Sequence, residues 1–111
     1  MNSSKPTVLV VEDDTESNRF ITETLAHKYN VISALNGQQG LELALKVFPS
    51  LIVLDSLIST SSSEEIITEI RKNLNLSGVP ILLLAEHADE KLKSQLLERG
   101  AQCFIAFLGL F

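Results

Sequence analysis

Val8-Leu9-Val10-Val11-Glu12-Asp13-Asp14 and Leu51-Ile52-Val53-Leu54-Asp55 decide how this chain folds. Each is a run of four apolar residues that stops on carboxylates. Neither run alternates apolar with polar, so each reads as a strand buried on both faces, as in a parallel sheet covered by helices. Two parallel strands that end alike deliver their acids to one edge of the sheet. Acids gathered there repel one another, and the crowding is relieved by a cation, by solvent or by a raised pKa. The pattern therefore points to a site.

The same alternation of elements extends in both directions. Residues 1–6 read as a short polar, disordered tail and 7–111 as one domain. After the first strand, Thr7 to Val11, Asp14 or Thr15 can cap a helix to about Lys28 with Phe20, Ile21, Thr24 and Leu25 inward. Asn30 to Ala34 reads as a second strand. Asn36-Gly37 is a turn and cap for a helix from Gly37 to about Val47 that buries Leu41, Ala44, Leu45 and Phe48. Pro49-Ser50 breaks it before the third strand, Leu51 to Asp55. The run Ser59-Thr60-Ser61-Ser62-Ser63 is a helix-capping loop, since Ser62 and Glu65 have capping-box spacing ahead of Ile66, Ile67 and Ile70. Gly78-Val79-Pro80 leads into a fourth strand, Ile81 to Ala85. Asp89 caps a helix to about Arg99 that Gly100 ends, and 102–107 is a fifth strand. Strands alternating with helices over short connections specify an α/β fold with a parallel sheet and helices on both faces.

Composition sets limits on function. The chain has 111 residues, enough for one domain with one core, and 45% of them are hydrophobic, which fits a globular protein. The net charge of −5 and pI near 4.9 disfavour nucleic acid as a direct partner, because phosphate binding needs a basic face. Cys103 is the single cysteine, so an internal disulfide is impossible and a reducing, cytoplasmic setting is expected. Its apolar neighbours make it a buried small hydrophobe rather than a nucleophile. His27 and His87 have no cysteine or second histidine at ligand spacing, which argues against zinc. The longest apolar run, Cys103 to Phe111, is too short to span a bilayer, so no membrane association is expected. No G-x-G-x-x-G or G-x-x-x-x-G-K stretch is present to cradle a nucleotide phosphate. An open cluster of carboxylates suits Mg²⁺, which keeps several waters and is held weakly by one or two acids.

Five stretches, in order and spacing, resemble the response regulator receiver domain, of the chemotaxis-regulator kind. They are Val10 to Asp14, Ala34 to Leu41, Leu51 to Asp55, Val79 to Leu84, and Gly100-Ala101. The resemblance implies a flavodoxin-like three-layer sandwich with a five-stranded parallel sheet in the order 2-1-3-4-5. It implies that Asp55 is the phosphoacceptor for a sensor histidine kinase. It further implies that Mg²⁺ is held by Glu12, Asp13, Asp55 and the backbone carbonyl of Leu57.

The chain also departs from that family. Ala85 stands where receivers place a threonine or serine that grips the phosphoryl group. Phe107 stands where they place a lysine, and Leu108 where a proline follows it. Phe104 matches the switch aromatic. Ser59 replaces a usual proline and Ser63 a usual glycine. A phosphoryl group adds about −1.5 to −2 charge. Ala85 can give it no hydrogen bond, and Phe107 no ammonium to offset it. The expectation is a degenerate receiver, not an enzyme, that serves two-component signalling or a phosphorelay as a protein-interaction module. Its partner would be a sensor histidine kinase or another signalling protein. The alternative is a working phosphoacceptor receiver. A phosphohydrolase using Asp55 as nucleophile would need a second acid in Asp55-Ser56-Leu57 and a strand-end lysine, and has neither. The resemblance leads one to expect a fifth helix, for which Gly109-Leu110-Phe111 is too short, so the expectation is that apolar sheet surface is covered by a homodimer or that the chain is a piece of a longer one.

Overall fold

The computed structural model describes residues 5–55, 63–85, 94, 97, 98, 100 and 103–106, and of 85 and 103–106 the main chain alone. Five strands, β1 (Thr7–Val11), β2 (Asn30–Ala34), β3 (Leu51–Asp55), β4 (Ile81–Ala85) and β5 (Cys103–Ala106), form one sheet in the order β2-β1-β3-β4-β5. Every neighbouring pair is parallel. Helices α1 (Thr15–Leu25), α2 (Gly37–Val47) and α3 (Ser63–Lys72) connect them. This is the flavodoxin-like parallel α/β arrangement expected from the sequence.

Side-chain alternation along the strands divides the apolar residues between two faces. Leu9, Val11, Ile52, Leu54, Ile81 and Leu83 point to one face and are buried with Ala44 of α2 and Ile66, Ile67 and Ile70 of α3. Val8, Val10 and Val53 point to the other, where Ile21 and Leu25 of α1 and Tyr29 pack on them. Leu82 and Leu84 belong to that second face and are half-buried. The main-chain carbonyls of Lys5 and Pro6 accept from Asn30, so the segment ahead of β1 is fastened to β2.

The helix starts follow the sequence closely. Asp14 caps α1 by accepting from the Ser17 N–H at 2.9 Å. Asn36 caps α2 by accepting from the Gln39 N–H at 2.8 Å, and the Gln39 side chain accepts in return from the Leu35 N–H. Helix faces differ from expectation. Phe20, Thr24, Leu45 and Phe48 are exposed, whereas Asn18 of α1 and Gly37 and Gly40 of α2 are buried. Helix α1 also stops at Leu25 instead of Lys28, where the N–H groups of Lys28 and Tyr29 both turn back to the Leu25 carbonyl. Helix α2 ends on Phe48 in a left-handed conformation, φ 52°, which turns its ring outward ahead of Pro49. Ser62 and most of the helix expected from Asp89 to Arg99 lie outside the described residues. Gly100 has φ +122° and donates its N–H to the Leu97 carbonyl, as a helix-ending glycine does.

Two contacts set how tightly the helices sit. Gly40 lies so close to β1 that an added Cβ would be 2.7 Å from Val11 Cγ2. Arg71, near the end of α3, donates to the carbonyls of Leu76, Ser77 and Gly100, joining the turns that precede β4 and β5. Its guanidinium loses some basicity through burial.

Gly40→Ala should destabilise the protein. Overfilling a closed core costs about 1–3 kcal/mol, against about 0.5–1 kcal/mol regained from better helix propensity. Val11 is β-branched and buried, so it cannot swing aside. Urea unfolding should give a lower midpoint than wild type; an equal or higher one would show slack at this contact.

Candidate functional site

Parallel pairing places the acids. β1 and β3 run side by side with Val11 opposite Leu54, so Glu12 and Asp13 leave the end of β1 as Asp55 completes β3. Carboxylate oxygens of Glu12, Asp13 and Asp55 all lie within 4.8 Å of one another. The structure thus brings together the three acids singled out in the sequence. Asp14 does not join them. It is exposed, it caps α1, and it accepts from both the hydroxyl and the N–H of Ser17, which hold its carboxyl below the usual range.

Glu12 is the buried member, with 4% of its surface exposed. Burial pushes its carboxyl up to about 8, and the nearby charges of Asp55 and Asp13 and a hydrogen bond shared with Asp55 act in the same direction. The Asp14 N–H, which donates to Glu12 Oε1 at 3.0 Å, opposes the rise. At neutral pH, then, the metal-free cluster keeps a proton on Glu12, which removes one of three like charges. A divalent cation would replace that proton. Three carboxylate oxygens at one open strand edge fit a hard, oxygen-seeking ion such as Mg²⁺ better than they fit zinc, which prefers nitrogen and sulfur ligands.

Two polar residues hold the strand ends: Asn18, which the sequence reading passed over, and Ser63, which it noted only in a capping loop and in place of a usual glycine. Asn18, buried in α1, donates its amide to the carbonyls of Glu12 (3.1 Å) and Ala34 (3.2 Å), bridging β1 and β2 where their pairing stops. The Glu12 N–H also donates to the Ala34 carbonyl. Ser63, buried at the start of α3, donates its hydroxyl to the Asp55 carbonyl at 3.0 Å. Both were visible as helical stripes: Asn18 is in step with Ile21 and Leu25, and Ser63 with Ile66, Ile67 and Ile70.

The other sequence-selected positions are placed by main chain or not at all. Ala85 ends β4, one residue beyond Leu84, the partner of Asp55. Phe104 lies in β5 opposite Leu83, and Ala106 is opposite Ala85. Leu57, Ser59, Phe107 and Leu108 lie outside the described residues. No helix among those described is long and apolar enough to cross a membrane.

Residues 8–106 match the response regulator receiver domain family. The chain is 40% identical over 102 residues to hybrid signal transduction histidine kinase D of Dictyostelium discoideum, an alignment that covers 92% of this chain and 7% of that protein. It is 33% identical over 99 residues to the response regulator ArlR of Staphylococcus aureus, covering 88% of this chain and 44% of that one. It therefore spans less than half the length of either relative. In three dimensions it superposes on the chemotaxis protein CheY4 of Vibrio cholerae with a TM-score of 0.89 at 23% identity, covering 96% of this chain and 88% of that one.

The Glu12 proton has a thermodynamic consequence. An unfolded Glu12 ionises near 4.5 and the folded one near 8, so between those values the native state binds the extra proton and stability falls as pH rises. In chelator, the melting temperature should decline from about pH 5 to above pH 8, and Glu12→Gln should flatten that decline. A wild-type profile as flat as that of Glu12→Gln would contradict the buried-proton account.

Proposed function

The chain belongs to the response regulator receiver domain family, and we propose that within two-component signalling it works mainly as a protein-interaction module with an impaired phospho-switch. The observation that carries this reading is the register of the sheet edge. The acids Glu12, Asp13 and Asp55 are gathered within one pocket, while the residue that follows Asp55's partner on β4 is Ala85. An alanine methyl can donate nothing to a phosphoryl oxygen, and a hydrogen bond to a charged group is worth about 1.5–3 kcal/mol. Phe107 follows Ala106, the residue opposite Ala85, and brings no positive charge.

Asp55 is the candidate acceptor: a carboxylate oxygen would attack phosphorus while the donor's bond to phosphorus breaks. Glu12, Asp13 and Asp55, with the Leu57 carbonyl, are the candidate ligands of a weakly held Mg²⁺. That ion, when bound, would supply the charge neutralisation that lets phosphoryl oxygens approach the acids. This chain's own contribution is to hold the acids together and to surrender the Glu12 proton.

A sensor histidine kinase or another signalling protein is the proposed partner, consistent with relatives that are themselves histidine kinases and a response regulator. The solvent face of α1 begins beside the acids and presents Phe20, 39% exposed, beside the Arg19–Glu23 ion pair. An aromatic ring within a polar rim is the composition that protein partners bind.

Incubation with a small phosphodonor and Mg²⁺, followed by intact-mass measurement, tests the proposal. Slow and partial addition of one phosphoryl group, absent in Asp55→Asn, is expected. Rapid, complete addition that Asp55→Asn abolishes would show a working phosphoacceptor instead.

A further inference from the structure

We propose that Ser63 is a positioning residue for Asp55. Its hydroxyl fixes the main chain at the end of β3, and with it the direction in which the Asp55 carboxyl points. The inference rests on the proposed role of Asp55 in the acidic pocket and assigns to this chain a device for keeping that pocket assembled.

The geometry supports it from three sides. First, the bond is local and well formed. Ser63 Oγ donates to the Asp55 carbonyl oxygen at 3.0 Å, and Ser63 is 3% exposed. Ser63 itself is shielded from water, and a buried hydroxyl is held to its partner by the cost of leaving it unpaired. Second, Asp55 sits where the sheet's own hold weakens. Pairing with β4 reaches Asp55, opposite Leu84, but pairing with β1 ends one residue earlier, at Leu54 opposite Val11. A strand end paired on one side has fewer ladder bonds than the residues behind it, and Ser63 adds a main-chain restraint there from α3. Third, the restraint complements a side-chain contact: Asp55 shares a hydrogen bond with Glu12 inside a cluster whose carboxylate oxygens lie within 4.8 Å of one another, and a fixed main chain at Asp55 keeps its carboxyl within reach of that partner. Side-chain rotamers depend on backbone dihedrals, so fixing the Asp55 carbonyl narrows the directions open to its carboxyl.

The packing of α3 makes the hydroxyl a rigid arm. Ser63 shares a stripe with Ile66, Ile67 and Ile70, all buried against Leu54 and its neighbours. The helix cannot move relative to β3 without opening that core. The glycine that the receiver resemblance leads one to expect at this position would offer the same backbone and no donor.

Ser63→Ala removes one oxygen and leaves the packing in place, so its comparison with wild type decides the matter. Ser63→Gly and Ser63→Thr bracket it, the latter restoring the hydroxyl. In metal-free protein, three-bond couplings across Cα–Cβ of Asp55 should report one rotamer for wild type and Ser63→Thr. The alanine and glycine variants should show averaging. Mg²⁺ titrations followed by amide shifts should show affinity weakened about tenfold in Ser63→Ala, the lower end of what loss of an outer hydrogen-bond partner costs a metal site. Thermal melts of each variant separate stability from positioning. A serine that served packing alone would lower the melting temperature on substitution while leaving the Asp55 couplings unchanged, and that result would overturn the proposal. A wild-type protein that binds no Mg²⁺ would defeat the proposed metal role of the pocket, and the couplings would still decide the role of Ser63.

Discussion

Parallel pairing of β1 with β3, with Val11 opposite Leu54, is the constraint on which the rest of the structure depends. It brings Glu12, Asp13 and Asp55 to one corner and obliges them to share it. Nothing about the acids favours this arrangement. The apolar residues behind them enforce it: Val8 to Val11 and Ile52 to Leu54 are nearly all without solvent contact. Each such side chain contributes about 1.5–3 kcal/mol on burial, and the main-chain ladder fixes their register. The repulsion at the strand ends is small beside that sum, so the pocket is carried by the core. Its local cost appears as the raised pKa of Glu12.

The strand ends also need holding, because ladder bonds thin out there. Each is fastened by a polar side chain from the helix that follows. Asn18 of α1 spans the carbonyls of Glu12 and Ala34. Ser63 of α3 reaches the carbonyl of Asp55. Both are buried, and both sit on helical stripes that are otherwise apolar. A buried polar group on such a stripe is costly unless satisfied, so its presence is itself a sign that it meets a partner. In this chain the partners are the carbonyls of Glu12, Ala34 and Asp55, two of them acid-bearing residues.

Most of the fold was legible because strand and helix signals agreed. Apolar runs of four or five residues located β1, β3 and β4 to the residue, the short segment Asn30–Ala34 was read as β2, and Asp14 and Asn36 announced the starts of α1 and α2. Helix faces were legible only in part. Counting hydrophobic side chains turned Phe20, Leu45 and Phe48 inward, yet all three are exposed. In α2 the orientation is set by Gly40, which must lie against Val11 because no side chain fits there. A glycine carries no hydropathy signal, so periodicity could not find it. In α1 the inward polar residue Asn18 displaced Phe20 from the core-facing stripe. The acids of the site were legible for a simple reason: they end buried strands. Their protonation was not, since it depends on burial and on neighbours that meet only in three dimensions.

The kept acids and the altered neighbours bear on different steps. Gathering Glu12, Asp13 and Asp55 needs only the β1–β3 register and the two fastening residues. Responding to a phosphoryl group needs donors that reach it from β4 and β5. The sheet places Ala85 beyond Leu84, the partner of Asp55, and sets Ala106 opposite Ala85. The two strands that would answer a new charge therefore reach this edge with methyl groups in sequence, and the next residue is Phe107. A pocket in which a proton on Glu12 has removed one of three like charges would then hold a phosphoryl group that carries about −1.5 to −2. On the proposed reading the Ala85 methyl gives that charge no hydrogen bond, so the charge would have no fixed direction in which to pull the fold. A change of shape requires a differential contact between two states. On the proposed reading the acids supply a place for charge, while Ala85 and Phe107 stand where groups that convert charge into movement would be expected.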